Sequence, residues 1–367
     1  MIPIYKPYLA PYKHSAIQSI NDEWISNHGI YVDLASTKFR EMLNVKYTIL
    51  MNNGTSATHC LYKALKYKYP HIDHIYIPNY VFIAPWNCGL MEYPVSAFEV
   101  MKHDPETMNI DVSEKYIATL KQNSAVMIVH NLGNIVNIPR LQRLRPDIVF
   151  IEDNCEGLFG KHEMLYSGTQ SFASAVSFYG NKTITSGEGG AFFTNDIDVY
   201  KYIKTYYSHG MSDQRYIHSM VGTNYRMTNV QAAFLYDQMN DINTILDRKK
   251  CIFDYYKGKL SDFYPNIYFL KSEPNTQHSN WMMVIFVKNA IYDEVETFLI
   301  EKNIQVRPLF YSISKHPYLS DIDFPDKDVG LNKDCGMMLP SYPELQREQQ
   351  DYIVSSIREF LVLRKLI

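Results

Sequence analysis

Three short segments of the sequence carry side chains that can do chemistry, and each follows a run of apolar residues. The first is Asn-Asn-Gly-Thr-Ser-Ala at residues 52–57, and the second ends in Glu152 and Asp153. The third is Ser-Phe-Tyr-Gly-Asn-Lys-Thr-Ile-Thr-Ser-Gly-Glu-Gly-Gly at residues 177–190. Ligands of α/β proteins gather at the carboxyl ends of the strands, so these segments are where we expect the chemistry.

Gly54 and Thr55 in the first segment have the residue types of a phosphate site. Glycine lets the backbone approach a ligand closely, and the N–H groups and dipole at the start of a helix favour an anion. A Gly-Thr-Ser turn between strand and helix is more often ordinary helix capping, so this motif alone leaves both interpretations open.

Glu152 and Asp153 end the second segment. Neighbouring side chains of a strand point to opposite faces, so only one of these carboxylates can face a given ligand. An aspartate here could pair with a protonated ring nitrogen, bind a metal or cap a helix.

Lys182 in the third segment has Gly180 before it and Gly187 after it. A tight loop of this kind could hold the amine against a ligand, although a surface lysine would show the same pattern. The glycines at 187, 189 and 190 do not form G-x-G-x-x-G and precede a strand, which disfavours nicotinamide binding of the Rossmann type.

The three segments together supply what pyridoxal 5′-phosphate requires. They offer a phosphate cup, an anion for the pyridinium nitrogen and a lysine for the Schiff base. Asp153 would keep the ring nitrogen protonated, and Lys182 would serve as the base that moves the proton. The combination is far more specific than any one motif.

The elements that must position these residues follow a pattern of short apolar runs separated by helix-length amphipathic stretches, which predicts an α/β layer with a largely parallel sheet. After Thr228 the pattern predicts one long helix, then a smaller α+β region with a strand at 281–287 and a final helix near 352–361. We expect a large cofactor-binding domain over 1–235, with the N-terminal segment, and a small domain over 236–367. The predicted strands are at residues 47–51, 74–77, 124–129, 148–151, 174–178 and 190–194.

The amino-acid composition argues against several classes of protein for this chain. The chain has 367 residues, 46% of them hydrophobic, which is enough for a sizeable core, and its net charge of −3 does not predict a nucleic-acid binder. No apolar run approaches the roughly 18 residues of a membrane-spanning helix. The five cysteines are widely spaced without a C-x-x-C pair, which predicts neither a disulfide framework nor a zinc site. We expect a cytoplasmic protein without a signal peptide or a metal.

On these motifs the sequence resembles the DegT/DnrJ/StrS family of sugar aminotransferases. The resemblance runs from Trp24 through residues 52–57, 152–156, 177–190 and 209–233 to 304–310. It implies the fold type I architecture of aspartate aminotransferase, in which a large domain with a mostly parallel sheet flanked by helices carries a smaller C-terminal α+β domain, and it implies a homodimer. The segments 177–185 and 224–233 are most similar to those of perosamine and viosamine synthases, which aminate C4 of nucleotide-linked 4-keto-6-deoxyhexoses.

The resemblance also implies roles for single residues around the cofactor. Lys182 would form the Schiff base, Asp153 would bind the pyridine nitrogen, and Glu156 would lie near the ring hydroxyl, where many members have Gln. The phosphate would be held by Gly54, Thr55 and Ser177.

Further residues are implied at the rim of the site. Phe82 would stack on the ring, although its apolar neighbourhood is also that of a core residue. Asn224 would reach the cofactor phosphate and Arg226 the substrate, both in the partner subunit's site, although Arg226 could instead form an ion pair within its own chain. His130, at the end of an apolar run, either lines the site or is a buried imidazole with satisfied hydrogen bonds. We expect it, with Arg226 and Arg307, among the substrate contacts.

The sequence therefore predicts transfer of an amino group from L-glutamate to the C4 ketone of a nucleotide-linked 4-keto-6-deoxyhexose. We expect a UDP- or dTDP-linked glucose-configured sugar, giving a product such as viosamine. The alternatives are a GDP-perosamine synthase, a 3-keto sugar aminotransferase, and a non-catalytic sensor that binds a nucleotide sugar. A 3-dehydratase is disfavoured, because the family's dehydratases have His in place of the lysine.

Overall fold

The central element of the fold is a seven-stranded sheet in the order β1-β9-β8-β5-β4-β2-β3. The computed structural model describes residues 1–319 and 335–367. The strands are β1 (Tyr47–Met51), β2 (Ile75–Ile77), β3 (Phe98–Val100), β4 (Ala125–Val129), β5 (Val149–Asp153), β6 (Lys161–His162), β7 (Leu165–Tyr166), β8 (Ala173–Ser177), β9 (Gly190–Thr194), β10 (Ile267–Tyr268), β11 (Thr276–Gln277), β12 (Met283–Val287), β13 (Arg307–Pro308) and β14 (Cys335–Leu339).

Six of the seven strands run in the same direction, and β9 alone runs against them. All six apolar runs became strands of this sheet, which confirms the predicted α/β layer. Strand β3 was not predicted, since its three residues include the exposed Glu99. Because the sheet is mostly parallel, the carboxyl ends of β1, β8, β5 and β4 lie at one edge, beside the start of β9.

Helices cover both faces of this sheet. Ile49 and Met51 of β1 pack into one apolar cluster with α3 and α7, whereas the intervening Leu50 packs into another with α2 and α8. The helices are α1 (His14–Asn21), α2 (Ile30–Leu43), α3 (Gly54–Lys68), α4 (Ala84–Glu92), α5 (Glu114–Ile117), α6 (Ile138–Leu144), α7 (Ile197–Tyr206), α8 (Asn229–Asn240), α9 (Ile242–Leu260), α10 (Tyr292–Glu301) and α11 (Arg347–Leu363).

The predicted single helix after Thr228 is two helices, α8 and α9, separated at Asp241. The side chain of Asp241 accepts hydrogen bonds from the Thr244 hydroxyl at 2.6 Å and from the Tyr12 hydroxyl at 2.7 Å. An aspartate engaged in this way competes with the helical backbone, and its φ of −122° lies outside the helical range. The apolar spacing continues across the break, which is why the pattern resembled one helix.

The C-terminal part forms a second, antiparallel sheet in the order β10-β12-β14-β13, packed against α9, α10 and α11. The predicted strand at 281–287 and the final helix are both present. The N-terminus joins this part through a bridge between Ile2 and Ile304. The boundary expected at residue 235 falls inside α8, and α9 carries the chain from one core to the other.

A small third sheet joins the two parts, in the order β11-β6-β7. Across residues 1–319 and 335–367, no helix is long and apolar enough to cross a membrane.

Candidate active site

The three segments singled out in the sequence meet at the carboxyl edge of the large sheet. Gly54 follows β1, Ser177 ends β8, and β9 lies between these strands. A Cβ atom built on Gly54 would lie 2.6 Å from the Cβ of Ser177, closer than real side chains approach. Gly54 therefore has no room for a side chain, and the start of α3 lies directly against the end of β8.

The start of α3 combines a helix cap with an anion site. The side chain of Asn53 accepts a hydrogen bond from the Ser56 N–H at 2.8 Å, so capping does occur here. The N–H groups of Gly54 and Thr55 in the same first turn have no acceptor within the helix, and Thr55 is exposed. The cap and the phosphate interpretation are thus compatible.

Asp153 and Glu152 face opposite sides of the sheet, as strand alternation requires. Asp153 is 5% exposed, and its Oδ1 accepts a hydrogen bond from the N–H of Cys155 at 3.0 Å. Glu152 is completely buried and faces His130 on the other side. Asp153 is therefore the carboxylate on the side of Lys182 and Glu156. All three groups lie close enough to Cys155 to influence the pKa of its thiol.

Lys182 lies beside the buried carboxyl group of Glu156. The Lys182 Nζ is 4.0 Å from Glu156 Oε1, and the backbone N–H of Leu132 donates to Glu156 Oε2 at 2.7 Å. Burial raises the pKa of Glu156 to about 7, while the lysine and the Leu132 N–H partly oppose that rise. The site thus holds a carboxyl group that gains or loses its proton near neutral pH.

Cys155 lies among these groups without being a reactive thiol. Desolvation raises the pKa of Cys155 well above its usual range, and the nearby Asp153 raises it further. A thiol nucleophile acts as the thiolate. The amine of Lys182 is therefore the nucleophile that this site offers.

Trp281 is a site residue that sequence reasoning missed. The Lys182 Nζ lies 4.3 Å from the centre of the Trp281 ring, and the indole N–H donates to the Asn181 carbonyl at 3.0 Å. Trp281 was predicted only as the start of a strand. About a hundred residues separate it from the lysine, and no spacing in the sequence points to the contact.

Phe82 is 57% exposed, which excludes the interpretation as a core residue. Its ring meets the ring of Phe310 edge to face, with 6.2 Å between centroids. Stacking of Phe82 on the cofactor ring stays a prediction, and the exposure leaves the ring free to do so.

Asn224 and Arg226 lie beside β1 in their own chain. Arg226 forms a bridge with Met51, and its Nε donates to the Asn224 Oδ1 at 3.1 Å. Within the described ranges no carboxylate pairs with Arg226, so the alternative of an ion pair in its own chain is not what the structure shows. The Asn52 N–H donates to the Tyr225 carbonyl at 2.9 Å, which fixes this segment next to the start of α3.

His130 is fully buried, contrary to the expectation that it contacts the substrate. Its Nδ1 accepts a hydrogen bond from the Val136 N–H at 3.0 Å, so the ring hydrogen lies on Nε2, which faces Glu152 Oε1 at 3.5 Å. A side chain without exposed surface cannot reach a bound sugar. The geometry favours the other interpretation, a buried imidazole, although its Nε2 has no hydrogen-bond partner among the described residues.

Arg307 begins β13 and remains near the site. Its guanidinium lies 5.0 Å from the centre of the Tyr5 ring, and Tyr5 packs against the lysine's loop, where a Cβ built on Gly180 would lie 3.6 Å from the Tyr5 ring. In the part of the chain that the structure describes, Arg307 has no carboxylate partner. Its charge is available to an anionic ligand.

The donor set fits pyridoxal 5′-phosphate. The close approach of Gly54 to Ser177 leaves a cradle of backbone N–H groups that suits a phosphate, and Asp153 provides a buried carboxylate for a protonated ring nitrogen. Lys182 provides an amine with 13% of its side chain exposed. Among residues 1–319 and 335–367, no group of three or more His, Cys, Asp or Glu could hold a metal ion.

Comparison with known proteins identifies the family. The chain matches the DegT/DnrJ/EryC1/StrS aminotransferase family over residues 11–358. It is 32% identical over 367 residues to GDP-perosamine synthase of Escherichia coli O157:H7, with 98% of each chain covered. It is 31% identical over 375 residues to GDP-perosamine synthase of Vibrio cholerae, with 98% of this chain and 99% of that one covered.

A solved structure shows the same fold. PseC of Helicobacter pylori, an aminotransferase involved in the biosynthesis of pseudoaminic acid, aligns with a TM-score of 0.87 and 21% identity over 97% of this chain and 98% of that one. The predicted fold type I architecture is thereby confirmed. The chain belongs to the DegT/DnrJ/EryC1/StrS aminotransferase family, and it is a sugar aminotransferase that uses pyridoxal 5′-phosphate.

Proposed function

We propose that this enzyme transfers an amino group from L-glutamate to the C4 ketone of GDP-4-keto-6-deoxymannose, which gives GDP-perosamine. The observation that carries the reaction type is the meeting of Lys182, Asp153 and the start of α3 at Gly54 on one sheet edge. The relatives with the highest identity given above act as GDP-perosamine synthases. They favour the GDP-linked alternative over the UDP- or dTDP-linked sugar that the sequence led us to expect.

Pyridoxal phosphate, when bound, supplies an aldehyde that joins an amine and a ring that accepts electrons. Lys182 holds the cofactor between turnovers and moves the proton at the reacting carbon. Asp153 pairs with the ring nitrogen. Gly54, Thr55 and Ser177 would hold the phosphate.

Glu156 has a separate role close to the amine. Its carboxyl group faces Lys182 at 4.0 Å and is fixed on its other oxygen by the Leu132 N–H. With a pKa of about 7 it can present either a donor or an acceptor to a ring hydroxyl in the neutral range. A Gln at this position offers both groups at any pH.

The diphosphate of the nucleotide sugar requires cationic groups, and two arginines are candidates. Arg307 lies on the rim formed by Tyr5 and Tyr179. Arg226, with Asn224, extends from the segment beside β1, and we propose that it serves the site of a partner subunit in a homodimer. We place the reaction in the cytoplasm, because the five cysteines, all within the described residues, are thiols and not disulfides, as is typical of a reducing compartment.

The test is incubation of the purified enzyme with L-glutamate and, in turn, the GDP-, UDP- and dTDP-linked 4-keto-6-deoxyhexoses. We expect 2-oxoglutarate and a 4-amino sugar by product NMR with the GDP substrate, and at least tenfold lower kcat/KM with the others. An amine at C3 would instead support the 3-keto alternative. A colourless protein whose absorbance does not respond to glutamate would support the sensor alternative and contradict the proposal.

A further inference from the structure

Trp281 contacts the catalytic loop in two ways at once. Its ring lies 4.3 Å from the Lys182 amine, and its N–H donates a hydrogen bond to the carbonyl of Asn181, the residue just before Lys182. Trp281 itself is 4% exposed. A cation over an indole face is attracted by the ring quadrupole, and the attraction grows as water is excluded. The indole thus fixes both the amino group of Lys182 and the backbone of the loop that carries this lysine.

Trp281 is in turn held by a buried lysine on α9. The Lys249 Nζ donates to the Trp281 carbonyl at 2.7 Å and to the Ser341 carbonyl at 2.6 Å. Lys249 is 4% exposed and pairs with no carboxylate in the described part of the chain. Burial lowers the pKa of Lys249 to about 7. Burying an amine without a counter-charge costs free energy. The two hydrogen bonds therefore indicate a structural or functional role for Lys249.

We propose that Trp281 is a positioning residue for Lys182, and that Lys249 fixes Trp281 in place from the small-domain side. The inference rests on the proposed function, because it concerns the amine that moves the proton. To move the proton, the free amine of Lys182 must stay beside the reacting carbon. The indole face provides that resting place, and the bond to Lys249 sets its position.

Positioning of this kind acts on the chemical step and not on substrate binding. When the lysine side chain is not held in one position, the effective concentration of the base at the reacting carbon falls. We therefore expect loss of the indole to lower kcat and to leave the KM values for glutamate and the sugar within about threefold of wild type. It should also slow the capture of added pyridoxal phosphate by the cofactor-free protein, because that step needs the same amine.

The variants separate the two contacts. Trp281→Leu and Trp281→Met remove the ring, Trp281→Phe keeps an aromatic face without the N–H, and Lys249→Met removes the donors to the carbonyl. Tyr256→Phe is the matched control, because it removes a buried hydroxyl on the same helix α9 that donates to the Pro340 carbonyl at 3.0 Å. The readouts are kcat, KM and the rate at which absorbance of the lysine-bound cofactor appears, with borohydride and peptide mapping to confirm Lys182 as the labelled residue.

We expect Trp281→Leu and Trp281→Met to lower both kcat and the capture rate about tenfold. Trp281→Phe should recover most of the loss, Lys249→Met should lower both values about threefold, and Tyr256→Phe should match wild type. A folded Trp281→Leu or Trp281→Met protein with wild-type capture and kcat would overturn the role of Trp281. Wild-type values in Lys249→Met would overturn the role of Lys249. Should wild type itself capture no cofactor, the proposed function fails instead, so the two failures are distinguishable.

Discussion

Glu156 Oε1 and Lys182 Nζ lie 4.0 Å apart in a region where both side chains are largely shielded from water. Each charge stabilises the other, yet burial has the larger effect on the carboxyl group and raises the pKa of Glu156 to about 7. The structure therefore places a group that changes its charge near neutral pH directly beside the amine that we propose carries the chemistry. This pair has a measurable consequence for stability.

Glu156→Gln should remove a pH-dependent loss of stability from the cofactor-free protein. The pKa of this carboxyl group is raised from 4.5 to about 7 on folding, so between those values the folded protein keeps a proton that the unfolded chain has lost. The Glu156 contribution to the free energy of unfolding consequently falls as pH rises over this range.

Urea unfolding of wild type and Glu156→Gln at pH 5 and pH 8 measures the effect. We expect the variant to gain about 2 kcal/mol on wild type between the two pH values. Glu41→Gln, at an exposed position on α2, is the control and should show no such gain. An equal difference at both pH values would mean that the carboxyl group titrates normally.

Gly54→Ala should weaken cofactor binding. The new Cβ would lie 2.6 Å from the Cβ of Ser177, so the start of α3 or the end of β8 must move away from the phosphate. We expect the dissociation constant for pyridoxal phosphate, from an absorbance titration, to rise about tenfold or more.

Gly258→Ala provides the control, because Gly258 lies within α9 and a Cβ there would meet no atom within 4 Å. That variant should bind the cofactor as wild type does and be more stable by about 0.5–1 kcal/mol. Unchanged cofactor affinity in Gly54→Ala would contradict a phosphate site at the start of α3.

Lys249→Met should change the stability at alkaline pH in the opposite sense to Glu156→Gln. The pKa of Lys249 is lowered from 10.5 to about 7, so between these values the unfolded chain holds a proton that the folded protein has released. The Lys249 contribution to the free energy of unfolding therefore rises with pH over this range. From pH 7 to pH 9, wild type should gain about 2 kcal/mol on the variant. A constant difference would show that Lys249 is not desolvated in solution.

Mixing two inactive variants tests whether Arg226 serves the partner's site. In a dimer of Lys182→Ala and Arg226→Ala subunits, one site would hold both defects and the other neither. Random reassociation at equal amounts should restore about a quarter of wild-type activity, since half of the dimers would then be mixed. If Arg226 acts in its own chain, every site stays defective and no activity returns.

The sequence was sufficient to predict the strands whose residues are all apolar. Runs such as residues 125–129 are buried on both faces, a pattern typical of a strand in the middle of a covered sheet. The break at Asp241 was hidden, because the apolar spacing continues through it while the interruption comes from a side chain bonded to Tyr12 and Thr244. Spacing reports which face is buried and carries no information on such bonds.

The site was predictable where residue type limits the chemistry and unpredictable where it depends on distant packing. Lys182, Asp153 and Gly54 follow strands that must end at one edge, so topology alone brings them together. His130 follows such a strand too, but its ring turns inward to the Val136 N–H and Glu152. Trp281 meets Lys182 only through the packing of the small domain, which no local pattern encodes.

Borohydride reduction of the wild-type enzyme loaded with pyridoxal phosphate, followed by digestion and peptide mass mapping, identifies the residue that binds the cofactor. We expect one reduced cofactor per chain, attached to Lys182, and none after prior conversion with excess glutamate. Lys182→Ala should take up no borohydride-stable label and show no turnover. Attachment at another lysine, or turnover in Lys182→Ala, would show that Lys182 is not the lysine that binds the cofactor and moves the proton.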